Sequence, residues 1–272
     1  MKQRFLVVGD PIAHSLSPRI HRAFGEQLGI DVDYRAERVA AGELAGFVAS
    51  LDRDVVGLNL TSPLKHEAFA LADRLSDAAA ATESVNTLIR HDGGWTGETT
   101  DGTGLVRDLI NHLGVAIAGQ RLLILGAGGA VAAILPALLA QTPRQALIAN
   151  RTRQRADVLA ARYPGQLQSI GIDQLADTVA SDILINGLAA GLHGKRLELP
   201  DSLFASAGLV YDLSYGAGAS EFLARAHRAG ARQTSDGLGM LVEQAAAAFA
   251  LWHRRQPDSK TVLAELRRQT AP

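Results

Sequence analysis

Short apolar segments alternate with longer amphipathic segments along most of the chain. Most of the short segments are rich in Val, Ile and Leu, which is typical of buried strands. They predict strands over residues 5–9, 33–39, 55–60, 86–91, 121–126, 145–150, 183–186 and 208–213. The longer segments predict helices over residues 17–29, 66–75, 102–114, 130–140 and 239–255.

Strands that alternate with helices indicate an α/β fold built on parallel sheets with helices on their faces. The segment "GETTDGTG" concentrates Gly, Thr and Asp and indicates a domain boundary near residues 100–103. We therefore predict two domains separated by a cleft. The first contains residues 1–102 together with 240–272, and the second contains residues 103–239.

Composition excludes several classes of protein. The chain has 272 residues, of which 47% are hydrophobic, and its 28 acidic residues nearly balance its 27 basic ones. This balance predicts neither a nucleic-acid partner nor an anionic membrane partner. Cysteine is absent and the eight histidines form no ligand-spaced pair, so we expect no disulfide and no metal site. The N-terminal apolar segment, "FLVVG", is too short for a signal peptide, and we expect a cytoplasmic location.

A glycine-rich loop follows the predicted strand at 121–126 and opens the next helix. It consists of Gly126, Ala127, Gly128, Gly129 and Ala130. Glycines at this place allow the backbone to approach a dinucleotide pyrophosphate, and the helix N-terminus offers free N–H groups to it. The third glycine of the usual fingerprint would fall at Val131, so a tight turn that binds no ligand stays open as an alternative.

The end of the next strand bears on the choice of dinucleotide. NAD-binding proteins usually place an acidic residue there, where it binds the ribose 2′-hydroxyl. Here the segment carries Asn150, Arg151, Thr152 and Arg155 instead. Guanidinium groups suit a phosphate, so the segment favours NADP over NAD. The alternative is a solvated basic helix start.

Two polar segments in the first half are candidates for substrate chemistry. In "AHSLSP", Ser17 precedes Pro18 and could simply cap a helix, or Ser15 and Ser17 could present hydroxyls to a carboxylate. In "NLTSPLK", Lys65 stands where a buried strand gives way to a helix. It is either an ordinary solvated lysine or a group placed at a site.

Seven motifs resemble, in their order and spacing, those of the shikimate dehydrogenase family. They are "GDPIAHSLSP", "NLTSPLK", "SVNTL", "TDGTG", "GAGGA", "NRT" and "DGLGMLVEQAA". The resemblance implies NADPH-dependent reduction of 3-dehydroshikimate to shikimate, in the pathway to chorismate and the aromatic amino acids. It also implies that residues 1–102 and 240–272 form a substrate-binding domain and that residues 103–239 form a Rossmann-like NADP-binding domain.

The same resemblance implies roles for individual residues. Ser15 and Ser17 would hold the substrate carboxylate, and Lys65 and Asp101 would form the catalytic pair. Other substrate-binding positions would be Asn59, Thr61, Asn86, Tyr215 and Gln244. The cofactor would contact the glycine loop, Leu213 and Gly237. It would also contact the basic segment formed by Asn150, Arg151, Thr152 and Arg155. From the residues alone, Asn59 and Asn86 could be turn residues, Asp101 a helix cap, Gln244 a surface residue and Tyr215 a core residue.

A lysine suits the implied reaction. Hydride arriving at a ketone carbon leaves an alkoxide, and an ammonium group beside that oxygen supplies both charge and a proton. A carboxylate such as Asp101 would favour the charged lysine and hold it in place.

The sequence also departs from the family pattern at several positions: Leu60, Ser62, Thr99, Ala132, Leu188 and Ala189. These departures leave two alternatives open. One is a paralogue that acts on quinate, and the other is a catalytically silent NADPH-binding sensor. Retention of both Lys65 and Asp101 argues against the silent sensor. The resemblance also allows a homodimer.

Overall fold

The computed structural model describes residues 3–177, 180–188 and 199–270. The chain divides into two compact units. Unit 1 consists of Met1–Gly104 and Leu241–Pro272, and unit 2 consists of Leu105–Met240. Each unit contains one six-stranded sheet, and the predicted α/β fold with two sheets is confirmed.

Unit 1 is built on a mixed sheet. Its strands are β1 (Arg4–Gly9), β2 (Asp33–Arg38), β3 (Val55–Leu60), β4 (Arg74–Leu75), β5 (Thr87–His91) and β6 (Gly94–Glu98), arranged in the order β2-β1-β3-β5-β6-β4. β1 runs parallel to β2 and β3, but β5 is antiparallel to both β3 and β6. The expectation that all strands are parallel is therefore wrong for this unit.

The antiparallel part of the sheet has a local cause. β5 and β6 form a hairpin in which His91 pairs with Gly94, so that Asp92 and Gly93 are its two-residue loop. An Asp-Gly loop suits the twist of a tight hairpin. The hairpin also shortens the helix predicted over residues 66–75, because its last two residues form β4 and pair with β6.

Helices in unit 1 cover the sheet and complete its core. They are α1 (Ser17–Leu28), α2 (Leu44–Ala49), α3 (Lys65–Leu71), α4 (Asp77–Thr82) and the first turn of α5 (Asp101–Arg107), whose residues 105–107 belong to unit 2. The sequence predicts a helix over residues 102–114, but α5 ends as a regular helix at Arg107. Within unit 2, a π-helical turn then spans Asp108–His112, and it begins where the buried Asp108 carboxylate accepts a hydrogen bond of 2.7 Å from Tyr211 of the same unit.

Unit 2 contains a wholly parallel sheet. Its strands are β7 (Arg121–Leu125), β8 (Gln145–Asn150), β9 (Gln168–Gly171), β10 (Ile183–Asn186), β11 (Leu209–Asp212) and β12 (Gln233–Ser235), in the order β12-β11-β10-β7-β8-β9. Counted within the unit, this is the strand order 6-5-4-1-2-3 of a doubly wound dinucleotide-binding fold. Ligands of such folds bind at the carboxyl ends of the strands where the order reverses, here between β7 and β10.

The remaining helices are α6 (Gly129–Leu139), α7 (Arg153–Ala161), α8 (Asp201–Ser206), α9 (Ala217–Arg228), α10 (Leu238–His253) and α11 (Ser259–Thr270). None of the helices within the described ranges combines the length and the apolar content that a membrane crossing requires. The described residues also include no group of three or more His, Asp or Glu side chains that could hold a metal ion.

Candidate active site

Lys65 stands at a fixed point between β3 and α3. The turn before it is held by the N–H of Thr61, which donates to the carbonyl of Val8, and by the N–H of Leu64, which donates to the carbonyl of Thr61. The Leu64 side chain is fully buried and anchors the start of the helix. Lys65 is the first residue of α3, and its side chain retains 25% of its exposure, so its ammonium group is accessible to a ligand.

Lys65 and Asp101 form the ion pair that the sequence predicted. Lys65 Nζ lies 2.7 Å from Oδ2 of Asp101, whose side chain is only 8% exposed. The second carboxylate oxygen, Oδ1, accepts a hydrogen bond of 2.9 Å from Nδ2 of Asn86. Since both oxygens have partners, the orientation of the carboxylate and of the lysine beside it is fixed. The interpretation of Lys65 as a solvated surface charge is therefore wrong.

Asn59, Asn86 and Gln244 lie together next to this ion pair. All three are buried, with 6%, 2% and 9% of their surface exposed. Asn86 Nδ2 lies 3.4 Å from Oε1 of Gln244, and Asn59 Nδ2 donates to the carbonyl of Asn86 at 3.1 Å. The interpretation of Gln244 as a surface residue is thus excluded. Thr61, directly after β3, is half-buried.

The two serines lie at the start of α1. Ser17 is the first residue of this helix and is 6% exposed, and no side chain caps the helix at the preceding residue, Leu16. The Ser17 backbone N–H donates to Oγ of Ser15 at 3.3 Å. The alternative in which Ser17 is a simple helix cap is therefore excluded, because the hydroxyl that accepts from the first N–H of the helix belongs to Ser15.

Tyr34 and Thr87 belong to the same cluster, and sequence reasoning missed them. The Tyr34 hydroxyl donates to Oδ1 of Asn59 at 2.7 Å, and Thr87 Oγ1 lies 2.9 Å from Oδ1 of Asn86. Burial raises the pKa of Tyr34, while the neighbouring Ser17 hydroxyl acts in the opposite direction. Thr87 could have been found, since it directly follows Asn86 in the motif "SVNTL". Tyr34 carries no comparable signal.

Thr99 and Thr100 directly precede Asp101. Thr100 supports Asn86, because its backbone N–H donates to Oδ1 of Asn86 at 2.9 Å. Thr99, one of the departures from the family pattern, is 8% exposed, and its Oγ1 has no hydrogen-bond partner within the described ranges. The substitution thus leaves a buried hydroxyl beside the site.

The glycine loop in unit 2 has the geometry of an anion-binding turn. Gly126 has a φ of +103°, and a Cβ there would come within 2.9 Å of the carbonyl oxygen of Gly187, so glycine is required. Around Gly128 and Gly129 the same test finds open space. Ala130 is exposed beside them and Ala127 is half-buried. The first N–H groups of the eleven-residue helix α6 are therefore accessible to a phosphate.

The segment after β8, residues 150–155, exposes the guanidinium groups of Arg151 and Arg155. Asn150 holds the turn, because its Nδ2 donates to the carbonyl of Thr152 at 2.9 Å. Arg151 and Arg155 are exposed, and neither forms an ion pair with another described residue. Arg153, between them, lies 3.6 Å from Asp157 and donates to Gln174. Arg151 and Arg155 are thus the two arginines that could bind a phosphate.

Leu213 and Gly237 lie at the carboxyl ends of β11 and β12. A Cβ at Gly237 would come within 2.4 Å of the Leu213 carbonyl oxygen, so only glycine allows this approach. Below them, Asn186 Nδ2 donates to the buried Asp212 carboxylate at 2.7 Å. Burial raises the pKa of Asp212, and the hydrogen bond from Asn186 opposes that rise.

The other predicted positions in unit 2 are also defined. Tyr215 is 36% exposed, so it is no core residue. Ala132 is half-buried on α6 and packs against the unit's core, and the N–H of Leu188 donates to Oδ1 of Asn186 at 3.2 Å. Ala189 lies outside the described residues.

Comparisons with known proteins show to which family the chain belongs. Three family profiles match the chain: the shikimate dehydrogenase substrate binding domain over residues 7–88, shikimate/quinate 5-dehydrogenase over 108–193, and the shikimate 5′-dehydrogenase C-terminal domain over 237–267. The chain is 45% identical to the shikimate dehydrogenase (NADP(+)) of Laribacter hongkongensis, with 100% of both chains covered. It is 44% identical to that of Methylobacillus flagellatus, covering 97% of this chain and 98% of the relative.

Solved structures agree with this result. A structure of an Ael1 enzyme from Pseudomonas putida superposes with a TM-score of 0.90 at 36% identity, covering 97% of this chain and 98% of the other. The shikimate 5-dehydrogenase of Thermus thermophilus, in complex with NADP(H) and shikimate, gives a TM-score of 0.87 at 33% identity, covering 99% and 100%. The chain therefore belongs to the shikimate dehydrogenase family.

Proposed function

We propose that the chain catalyses the reversible NADPH-dependent reduction of 3-dehydroshikimate to shikimate. The observation that carries this proposal is the Lys65–Asp101 ion pair of 2.7 Å, set among the buried amides of Asn59, Asn86 and Gln244. Amide and hydroxyl groups suit the ring hydroxyls of a small polyol acid, and the ion pair suits its oxidisable carbon. Curated relatives of 43–45% identity carry the name shikimate dehydrogenase (NADP(+)).

Unit 1 is proposed as the substrate-binding and catalytic domain. Ser15 and Ser17 would hold the substrate carboxylate, since their hydroxyls lie at the start of α1, where the helix dipole favours an anion. Thr61 would contact a ring hydroxyl, as it directly follows the strand that carries Asn59. Fixed side chains of this kind reduce the entropy lost when the reacting groups are aligned.

Lys65 is proposed as the acid–base group. In ketone reduction its ammonium group would stabilise the developing alkoxide and donate a proton to it. Asp101 would keep that ammonium group oriented through the contact with Nζ. In the oxidation of shikimate the same lysine, in its neutral form, would accept the hydroxyl proton. Both directions require an accessible Nζ, and the side chain's partial exposure provides it.

Unit 2 is proposed as the NADP-binding domain, and the dinucleotide supplies the hydride when it is bound. The residues present fit this group. The loop Gly126–Ala130 would receive the pyrophosphate, and Leu213 and Gly237, whose backbones approach closely, would also contact the cofactor. Arg151, Thr152 and Arg155 would bind the 2′-phosphate, with Asn150 holding their turn. Tyr215, two residues after Leu213, is exposed and would contact the substrate.

The experiment that tests this proposal follows the absorbance of the reduced nicotinamide. The chain is mixed with shikimate or quinate, and with NADP or NAD, in all four combinations. We expect the fastest reduction with shikimate and NADP. Absence of reduction in all four combinations, by a folded preparation that still binds NADP, would favour the silent-sensor alternative instead.

A further inference from the structure

A continuous chain of buried hydrogen bonds leads from β2 to the carboxylate of Asp101. The Tyr34 hydroxyl lies 2.7 Å from Oδ1 of Asn59, whose Nδ2 lies 3.0 Å from Oγ1 of Thr87. Thr87 Oγ1 in turn lies 2.9 Å from Oδ1 of Asn86, whose Nδ2 lies 2.9 Å from Oδ1 of Asp101. None of the five residues is more than 6% exposed, so the chain is shielded from bulk water.

The direction of each hydrogen in this chain follows from two backbone groups. The carbonyl oxygen of Asn86 can only accept, and because Asn59 contacts it at 3.1 Å, the atom that Asn59 presents there is Nδ2. The backbone N–H of Thr100 can only donate, and because it lies 2.9 Å from Asn86, the atom it meets is Oδ1. Thr87 then accepts from Asn59 and donates to Asn86.

All the donors in the chain therefore point towards Asp101. Hydrogen bonds aligned in one direction polarise one another, and this alignment ends on a carboxylate that accepts the last proton. The other oxygen of the same carboxylate contacts Lys65. Removing the Thr87 hydroxyl would take one donor from Asn86 Oδ1 and leave the N–H of Thr100 on that atom. The amide, and the carboxylate to which it donates, would then be held less firmly.

We propose that Thr87 is a positioning residue for the Lys65–Asp101 pair. Its hydroxyl holds the amide of Asn86 together with the N–H of Thr100, and that amide donates to the carboxylate that orients the lysine. Thr87 contacts neither Lys65 nor Asp101 directly in the hydrogen bonds described, and it lies at the midpoint of the chain from Tyr34. This proposal rests on the proposed function, because it assigns the catalytic roles to Lys65 and Asp101.

Two substitutions of Thr87 separate positioning from folding. Thr87→Val keeps the side-chain shape and removes the hydroxyl, so that Asn86 loses one donor in a site where water does not replace it. We expect kcat with shikimate and NADP to fall about three- to tenfold, as loss of one hydrogen bond predicts. Thr87→Ser keeps the hydroxyl and removes a buried methyl group, so it should lower the unfolding temperature and retain kcat within about twofold.

Thr82 offers a matched control in the same unit. It is 5% exposed, and its hydroxyl donates to the carbonyl of Ala78 at 3.0 Å, outside the chain of hydrogen bonds. Thr82→Val therefore removes a buried hydroxyl of the same kind. We expect this variant to lower the unfolding temperature and to leave kcat unchanged.

The outcomes distinguish this proposal from the proposed function. If the unsubstituted chain reduces NADP with shikimate and Thr87→Val keeps its kcat, the positioning role is overturned and the function stands. Equal loss of kcat in Thr87→Val and Thr87→Ser would also overturn it, since the hydroxyl would then be irrelevant. If the unsubstituted chain shows no turnover, the proposed function fails, and the positioning role is overturned with it.

Discussion

A buried histidine in unit 1 predicts how the stability of the protein depends on pH. His21 lies on α1 with no exposed surface, and its ring stacks on that of Tyr34 with 4.2 Å between the ring centroids. Burial lowers the pKa of His21 to about 3, repulsion from His253 adds to the shift, and the nearby Asn59 amide opposes it. Neither ring nitrogen has a hydrogen-bond partner of normal geometry within the described ranges.

The size of the change in stability follows from the difference in the pKa of His21 between the folded and the unfolded chain. The pKa of an unperturbed histidine is 6.5, so the unfolded chain takes up a proton at this position well before the folded chain does. The stability that neutral His21 contributes is complete above pH 6.5 and is lost as the pH falls. Linkage gives about 1.4 kcal/mol per pH unit, and hence a loss of about 2 kcal/mol between roughly pH 7.5 and pH 5.

The assay is denaturant unfolding followed by tryptophan fluorescence at both pH values. Both tryptophans, Trp95 and Trp252, belong to unit 1, so their emission reports this unit. His21→Phe keeps an aromatic ring at the stack and removes the titrating group, so it should remove about 2 kcal/mol from the pH difference. The control, Phe24→Leu on the same helix, should lower stability equally at both pH values. An unchanged pH difference in His21→Phe would refute the reasoning.

Two further predictions concern the cofactor and the substrate. Arg151→Ala should raise the KM for NADP about ten- to a hundredfold, because charged hydrogen bonds contribute about 1.5–3 kcal/mol, and should leave the KM for NAD nearly unchanged. Arg153→Ala is its control, since that guanidinium already contacts Asp157. Steady-state kinetics with NADP and with NAD measure both KM values. Shikimate should exceed quinate in kcat/KM about five- to a hundredfold, because the extra hydroxyl of quinate would be unpaired beside Ser15 and Ser17. Equal efficiency with the two acids would favour the quinate paralogue.

Local signals in the sequence account for much of the fold. Four strands of unit 2, β7, β8, β10 and β11, could be predicted, because each is a short apolar run and the glycine loop marks the turn into α6. The polar strands β9 and β12, "QSIG" and "QTS", could not. β6 could not, since its sequence "GWTGE" contains two glycines and one large apolar residue. It forms because it pairs with β5 across a tight loop and because Asp73 accepts the N–H of Trp95 at 2.7 Å.

The residues of the candidate site could likewise be predicted only in part from the sequence. The positions of Lys65 and Asp101 could be proposed because they belong to motifs of recognisable spacing. The partners of these residues could not, since Tyr34 reaches Asn59 across 25 positions and Asn59 reaches Thr87 across 28. Contacts of this kind depend on how the strands are ordered in the sheet. The sequence did not predict the mixed order of the sheet in unit 1.

Lys65→Ala tests the central claim most directly, with turnover and shikimate binding measured on the same preparation. A positioned acid–base group contributes on the order of 10²–10⁴-fold, so turnover with shikimate and NADP should fall by about that factor. Shikimate affinity, measured by calorimetry, should change far less, because Asn59, Asn86 and Gln244 would still hold the ring. A variant that binds shikimate and keeps most of its turnover would contradict the catalytic role of Lys65.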